Sequence, residues 1–483
     1  MPRYEFAEGG SNKFWEITLE GTSFKTTYGK IGAAGQTTVK SFKSEADAKK
    51  EADKITAEKV KKGYQLVGGG AAPAAAAPAP AAKKKGAAAA ETVTHAVKFT
   101  ADARNPEIEK AIIADPTNRQ AFALLGDWLQ EQGDPRGELI SLQLGNKDKQ
   151  AKALIEKHAD YFLGPLAPHQ KVHDEGGNNS ISHLRTREQE AAWQKTQQEA
   201  FLWRNGFIYR VRLSHDSYSD EAYDGNTVDI LNDVLKHPSA RFAVEFAFMS
   251  NGDPNEDDLQ DLIDALAKNA PPTVKKISFG DNVDQISWHH TGNLAKLWKG
   301  VPSLKTLEIE TGEFEVGKID APSLERAIFI TGGLSKSCGK GIATGVMPKL
   351  KHLEIYYGTE EYGGGCSLSE VQPLLNRTDL TNLTYLGLKN SEFANEIASA
   401  LKGAKVLKTL KTLDLSLGTM TDAGAEALVA AKDSLAHLEC LDLTRNFLSA
   451  KGIKAVKGLC KKVITSEQEE SEDEDDRYVA IAE

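Results

Sequence analysis

Apolar positions recur at fixed spacing through the second half of the chain. The pattern is sharpest as Leu438-x-x-Leu441-x-Leu443-x-x-Asn446-x-Leu448, followed by a helix-like run to Leu459. The same frame opens at Leu410 (Leu413, Leu415) and at Leu383 (Leu386, Leu388). Weaker copies start at Leu350 (Leu353, Ile355), Leu324 (Phe329), Leu304 (Leu307, Ile309) and Val274 (Ile277, Phe279, Asn282). The loosest start at Ala243 (Phe246, Phe248, Asn251) and Ile208 (Val211, Leu213, Asp216). Steps between starts run from 20 to 35 residues, so the array is irregular. Copies before Leu304 fit either true repeats or strands of an atypical cap. One strand-plus-helix unit cannot bury its own apolar face, so the pattern predicts a stack with parallel strands.

The three C-terminal copies carry the leucine-rich-repeat signature, and such a stack is more often a binding surface than a reaction vessel. Side chains alternate across a strand, so the residue between the second and third leucine-type positions faces the concave side. That row reads Arg212, Ala247, Ser278, Glu308, Ile328, Glu354, Gly387, Asp414 and Asp442, with Glu310, Ile330 and Tyr356 two residues further along. It becomes acidic towards its end, which would repel a phosphate backbone. A basic protein or peptide is the expected partner, held by Glu308, Glu354, Asp414 and Asp442 with Ile328 and Tyr356 as apolar anchors.

Residues 1–67 form a separate unit. Residues 4–8, 14–19, 24–28 and 37–42 have the aromatic and β-branched content of short strands. Ser44 can cap a helix running through Ala48, Ala52, Ile55 and Val60 to Gly63, before a last strand at 64–67. Residues 68–103 begin as the linker GGGAAPAAAAPAPAAKKKGAAAA, too poor in large apolar side chains to offset ordering entropy. Residues 104–206 read as a helical module and cap: Ile108, Ile112 and Ile113 share one face, and Phe122, Leu125, Trp128 and Leu129 another. Gly133-Asp134-Pro135-Arg136-Gly137 breaks the helices, and Trp193, Phe201 and Trp203 close the module. The solenoid spans 207–464. An acidic tail, 465–483, is expected to be disordered as far as Asp476.

Two resemblances follow. Phe14-Trp15-Glu16, Tyr28-Gly29-Lys30-Ile31-Gly32, Gly35-Gln36, the Ser44 helix and Gly63-Tyr64 make residues 1–67 similar to the WGR domain of poly(ADP-ribose) polymerases and bacterial relatives. The family's central Trp-Gly-Arg is here Tyr28-Gly29-Lys30. The resemblance implies a small β-sheet with one helix and a DNA-contacting role. Tyr stacks less well than Trp and Lys lacks the bidentate fork of Arg, which weakens that role. Asp115-Pro116, Leu125-x-Asp127-Trp128-Leu129 and residues 133–138 resemble a bacterial repeat-companion module found beside leucine-rich repeats. There Trp128 is expected in the core and Asp134 with Arg136 as a turn and an ion pair.

Charge separates the parts. The whole chain carries a formal −10. Residues 1–67 hold twelve Lys/Arg against nine Asp/Glu, and residues 465–483 hold nine acids and one Arg. No run approaches the roughly 18 apolar residues of a membrane span, and no basic, apolar leader opens the chain. Cys338, Cys366, Cys440 and Cys460 lack metal-ligand spacing, so a reduced, cytoplasmic protein without metal or cofactor is expected. The Gly333–Gly341 stretch fails the phosphate-loop pattern, because Gly341 stands where the magnesium-binding hydroxyl belongs. His289-His290 completes no metal site, and no His lies near Cys366 to activate it. No catalytic domain follows the head.

Fold class is therefore multidomain α/β. The function expected is a non-enzymatic adaptor: a WGR-like head tethered to a leucine-rich platform that binds protein. The alternative is a DNA-associated regulator using Tyr28, Gly29, Lys30, Lys83, Lys84 and Lys85.

Overall fold

The protein is described by a computed structural model covering residues 3–8, 11–31, 36–41, 44–61, 64–67, 102–170, 199–215, 227–250, 259–280, 286, 289–471 and 476–482. It divides into two compact units, Met1–His95 and Ala96–Glu483.

In the first unit five strands pair antiparallel: Gln36–Ser41, Ser23–Lys30, Ser11–Glu20, Arg3–Glu8 and Gln65–Leu66 in spatial order. The helix Glu45–Lys61 buries Ala48 and Ala52. Ala52 packs with Trp15, Ile17 and Phe24 in the core. Phe14 is buried on the same strand, under the guanidinium of Arg3, which lies 4.1 Å from its ring and bonds Glu5 and Glu16.

The second unit opens with the helices Pro106–Ala114, Arg119–Glu131 and Pro135–Leu144, each begun by a side-chain cap from Asn105, Asn118 or Asp134. Their apolar faces meet around Ile112, Phe122, Leu125 and Leu129, with Trp128 packed at the edge. Asp134 and Arg136 do not form the expected turn ion pair. Asp134 accepts from Arg136 N–H and from Tyr161 O–H, at 2.8 and 2.6 Å. The Arg136 guanidinium turns away into the interior. It donates to Gly206 O at 2.8 Å and Ser239 Oγ at 3.0 Å, and sits 4.8 Å from the Phe207 ring.

The region expected to be helical up to residue 206 ends instead in a hairpin. Phe201–Arg204 pairs antiparallel with Phe207–His215. Asn205 and Gly206, at φ +50° and +83°, supply the two left-handed residues such a tight turn needs. A Cβ on Gly206 would stand 2.4 Å from Ile140, so the turn also needs glycine for its close approach to the helix. Trp193 lies outside the described residues.

That hairpin begins an eleven-stranded sheet, parallel in all its later pairs. Register follows the repeat frame without a slip: Arg212, Ala247, Ser278, Glu308, Ile328, Glu354, Gly387, Asp414 and Asp442 are successive cross-strand partners. The copies before Leu304 are thus strands of the same sheet. Leu353, Leu386, Leu413 and Leu441 point into the continuous core behind it. Helices such as Lys336–Thr344, Leu368–Leu375, Ala394–Ala400 and Asp422–Ala430 connect the strands. The shortest step arises where the strand Glu313–Glu315 stands in place of a connecting helix.

Asn446 is fully buried. Its Nδ2 donates to Leu415 O and Leu443 O at 2.9 and 3.1 Å, and its Oδ1 accepts from Met420 N–H at 3.0 Å. Gln468 repeats this one turn later, donating to Leu443 O and accepting from Leu448 N–H. The tail is therefore not disordered from residue 465: Arg445 N–H bonds Ser466 O, and Glu469 N–H bonds Asn446 O. Asn446→Ala strands buried backbone groups, so it should cost about 2–3 kcal/mol. Urea denaturation checks this; a change within about 0.5 kcal/mol would show that water replaces the side chain.

Candidate binding groove on the concave face

Four strands position the site: Arg326–Ile330, His352–Gly358, Tyr385–Ser391 and Thr412–Asp414. Alternation turns three residues of each long strand to the concave side. The acidic row is therefore flanked by a second row, Lys276, Arg326, His352 and Tyr385, and by Lys389 beyond it. These neighbours pair with Glu308, Glu354 and Asp414 of the row. Lys276 and Arg326 pair with Glu308. Glu354 is bonded to His352 at 2.6 Å, with Arg326 at 3.6 Å and Lys389 at 3.4 Å. Asp414 lies 3.1 Å from Lys389 and accepts from Tyr385 O–H at 2.6 Å. His352 stacks on Tyr385 with ring centres 4.0 Å apart.

Gly387 makes this arrangement possible. A Cβ there would meet the Lys389 stem at 3.0 Å and Glu354 at 3.3 Å. Lacking one, Gly387 leaves a bare patch of strand across which Lys389 reaches acids on both neighbouring strands. Burial disfavours the ammonium, yet Tyr356, Asp414 and Glu354 together raise the pKa of Lys389 above the ordinary lysine value. Burial likewise works against the Glu354 carboxylate, but the His352 hydrogen bond, Lys389 and Arg326 hold its pKa below the usual range.

A depressed folded pKa contributes stability that is complete above the unfolded glutamate value, about 4.3, and is lost as pH falls through the folded one. The stability difference between the protein and Glu354→Gln should therefore be constant at neutral pH and shrink on acidification below that value. Urea midpoints measured across this range test it; a pH-independent difference would contradict the pairing.

Beside the charged cluster lies an apolar one. Ile328, Ile330, Tyr356 and Leu417 are buried together with Ile286 and Ile481, and Ala480 packs against them. Ile328 and Tyr356 are thus covered rather than open anchors, packed with Ile286 as well as with Ile481 of the tail. Ile481 N–H donates to Asn390 Oδ1 at 2.9 Å, while Asn390 Nδ2 donates to Ile481 O at 2.6 Å. Ala480 N–H donates to Leu417 O at 3.0 Å. Asn390, near the end of its strand, and Leu417, three residues past Asp414, occupy equivalent places in the repeat frame, at φ +52° and +69°. Asn tolerates this conformation, whereas for Leu it costs about 1–2 kcal/mol. Arg445 adopts the same conformation at the equivalent place of the next repeat, φ +51°, so the left-handed residue belongs to the repeat frame.

Sequence reasoning singled out Glu308, Ile328, Glu354, Tyr356, Asp414 and Asp442, which the structure places on the strands of the sheet, and passed over Arg326, His352, Tyr385, Lys389, Asn390 and Leu417. Stepping two residues either way along each strand finds the first four. Asp442, half-buried, accepts from Thr444 N–H at its strand end. Tyr28, Gly29 and Lys30 lie on the strand Ser23–Lys30, paired with Trp15, Phe14 and Lys13. Their side chains, and Lys83, Lys84 and Lys85, lie outside the described residues. Burial pushes the Cys366 thiol up to about 12 and Cys338 to about 11, away from nucleophile chemistry. Among the described residues no group of three or more His, Cys, Asp or Glu is placed to hold a metal, and no helix is long and apolar enough to cross a membrane.

Comparison with known proteins matches two parts of the chain. Residues 3–70 match the WGR domain, and residues 406–429 and 434–457 match the leucine-rich repeat. Uncharacterized protein YfeS of Escherichia coli K12 is 46% identical over 63 residues, 13% of this chain and 26% of that protein. Protein YehF of the same organism is 39% identical over 64 residues, 13% of this chain and 23% of that protein. The chain thus spans about a quarter of the length of these relatives. A crystal structure of a Bacteroides fragilis protein superposes over 97% of both chains, with TM-score 0.48 and 21% identity. A TLR13–ssRNA13 complex superposes over 55% of this chain and 33% of that one, with TM-score 0.32 and 16% identity.

Proposed function

We propose that the protein is a non-enzymatic adaptor whose leucine-rich platform binds an extended segment of a partner protein in the concave groove. The WGR domain and the leucine-rich repeats point to an adaptor that binds protein or nucleic acid. The finer reading is supported by one observation: Asn390 pairs with both the N–H and the C=O of a single residue while that residue's side chain packs with Ile286, Ile328, Ile330, Tyr356 and Leu417. Such a site accepts main chain in extended form and selects an aliphatic residue. Because Lys276, Arg326 and Lys389 already compensate Glu308, Glu354 and Asp414, aliphatic pattern rather than basic charge should govern recognition beside them.

Peptide display against the full chain carrying Ile481→Asp tests this. Enriched peptides should carry alternating aliphatic residues and lose binding on Tyr356→Ala, but not on Glu426→Ala on the outer helix Asp422–Ala430. Equal binding to both variants would refute it. A second reading, DNA contact by the head, is supported by the WGR match alone. Titrating blunt and nicked DNA at two salt concentrations, with Tyr28→Ala and Lys30→Ala, decides it.

A further inference from the structure

We propose that residues 477–482 are a resident, displaceable occupant of the groove, so that the chain holds its own binding site closed until a similar peptide competes. This rests on the reading of the concave face as a binding surface, and adds how access to it is controlled.

The segment behaves as a bound peptide does. Val479 and Ile481 are buried, whereas Tyr478 between the groove and the acidic stretch is 63% exposed. Only Ile481 enters the apolar cluster fully, with Ala480 beside it. The hydrogen bonds join Asn390 and Leu417 to main-chain groups of residues 480 and 481, so they do not depend on side-chain identity. Specificity comes from the buried aliphatic side chains of Val479 and Ile481.

The contact is also thin. Two buried aliphatic side chains, one alanine and a few main-chain bonds would give a free peptide only weak affinity. Tethering compensates. The last repeat holds Ser466, Gln468 and Glu469 by hydrogen bonds, and residues 472–476, all acidic, separate them from the groove-bound residues by a short stretch of sequence. A short tether gives an effective concentration on the order of millimolar. That suffices to keep a weak ligand seated, and an external peptide with more than one aliphatic contact can still displace it.

The test uses the full chain and a labelled, end-capped peptide Arg-Tyr-Val-Ala-Ile-Ala, copied from residues 477–482, read by fluorescence anisotropy. Ile481→Asp should tighten peptide binding by about tenfold or more, because the internal competitor is gone. Ala480→Pro, which removes the N–H donated to Leu417, should do the same without adding charge. Adding Asn390→Gly, which keeps the left-handed backbone but removes the side-chain amide, should abolish binding in either background. Equal affinity in the unaltered chain and in Ile481→Asp, still sensitive to Asn390→Gly, would overturn resident occupancy and leave the groove reading standing. Absence of binding in every form, by this peptide and by displayed peptides alike, would overturn both. Dimerisation lost on Ile481→Asp would mean that the segment docks on a second copy, and would also overturn the proposal.

Discussion

Lys389→Met should destabilise the leucine-rich unit by about 3–5 kcal/mol at neutral pH, the range for removing one partner of a buried charge cluster. Lys389 and its partners Glu354 and Asp414 have side chains only 12%, 12% and 7% exposed. Methionine matches the stem that crosses Gly387, so packing changes little and the loss reports charge. Glu354 keeps His352 and Arg326, and Asp414 keeps Tyr385, but neither retains the ammonium between them. Adding Glu354→Gln should recover a large part of the loss, and acid pH should narrow the loss in the single variant by protonating the Glu354 carboxylate. Chemical denaturation of the single and double variants measures both. A loss under about 1 kcal/mol would mean that solvent screens this cluster as it screens surface pairs.

Arg136→Ala should have a comparable effect for a different reason, about 3–5 kcal/mol from a cavity plus broken hydrogen bonds. The guanidinium is among the largest fully buried side chains. It joins the hairpin turn at Gly206 to Ser239, whose hydroxyl in turn donates to Phe162 O, with Tyr161, Phe162 and Phe207 around it. Removing it unties the helical module from the start of the sheet. Amide exchange should therefore accelerate first in Phe201–Arg204 and Phe207–His215, ahead of the C-terminal repeats. Uniform loss of protection along the whole sheet would show that the module and solenoid unfold as one body.

The parts of this fold that repeat were legible in the sequence, because periodic leucines admit one register. Leu353, Leu386, Leu413 and Leu441 fixed which residues face inward, and the row from Arg212 to Asp442 followed. What the row does was not legible. Its charge depends on Arg326, His352 and Lys389, which belong to the same face but to other positions of the frame. The hairpin at Asn205-Gly206 had a strong local signal that the helical composition before it obscured. Arg136 carried no signal, since a buried arginine and a surface one look alike until the partners Gly206 and Ser239, far away in sequence, are known. The tail misled through composition. Its acids argue for disorder, yet Gln468 repeats the bonding of Asn446, and Val479 and Ile481 keep the alternation of a strand.

Amide exchange at Ile481 tests the central claim most directly. Its N–H donates to Asn390 Oδ1 in the groove. In the resting full chain it should exchange more slowly than in the free hexapeptide, and saturating peptide should return it to the free rate as the segment is expelled. Free-peptide exchange in the resting chain, or protection that saturating peptide leaves unchanged, would contradict a groove that its own tail occupies and a partner opens.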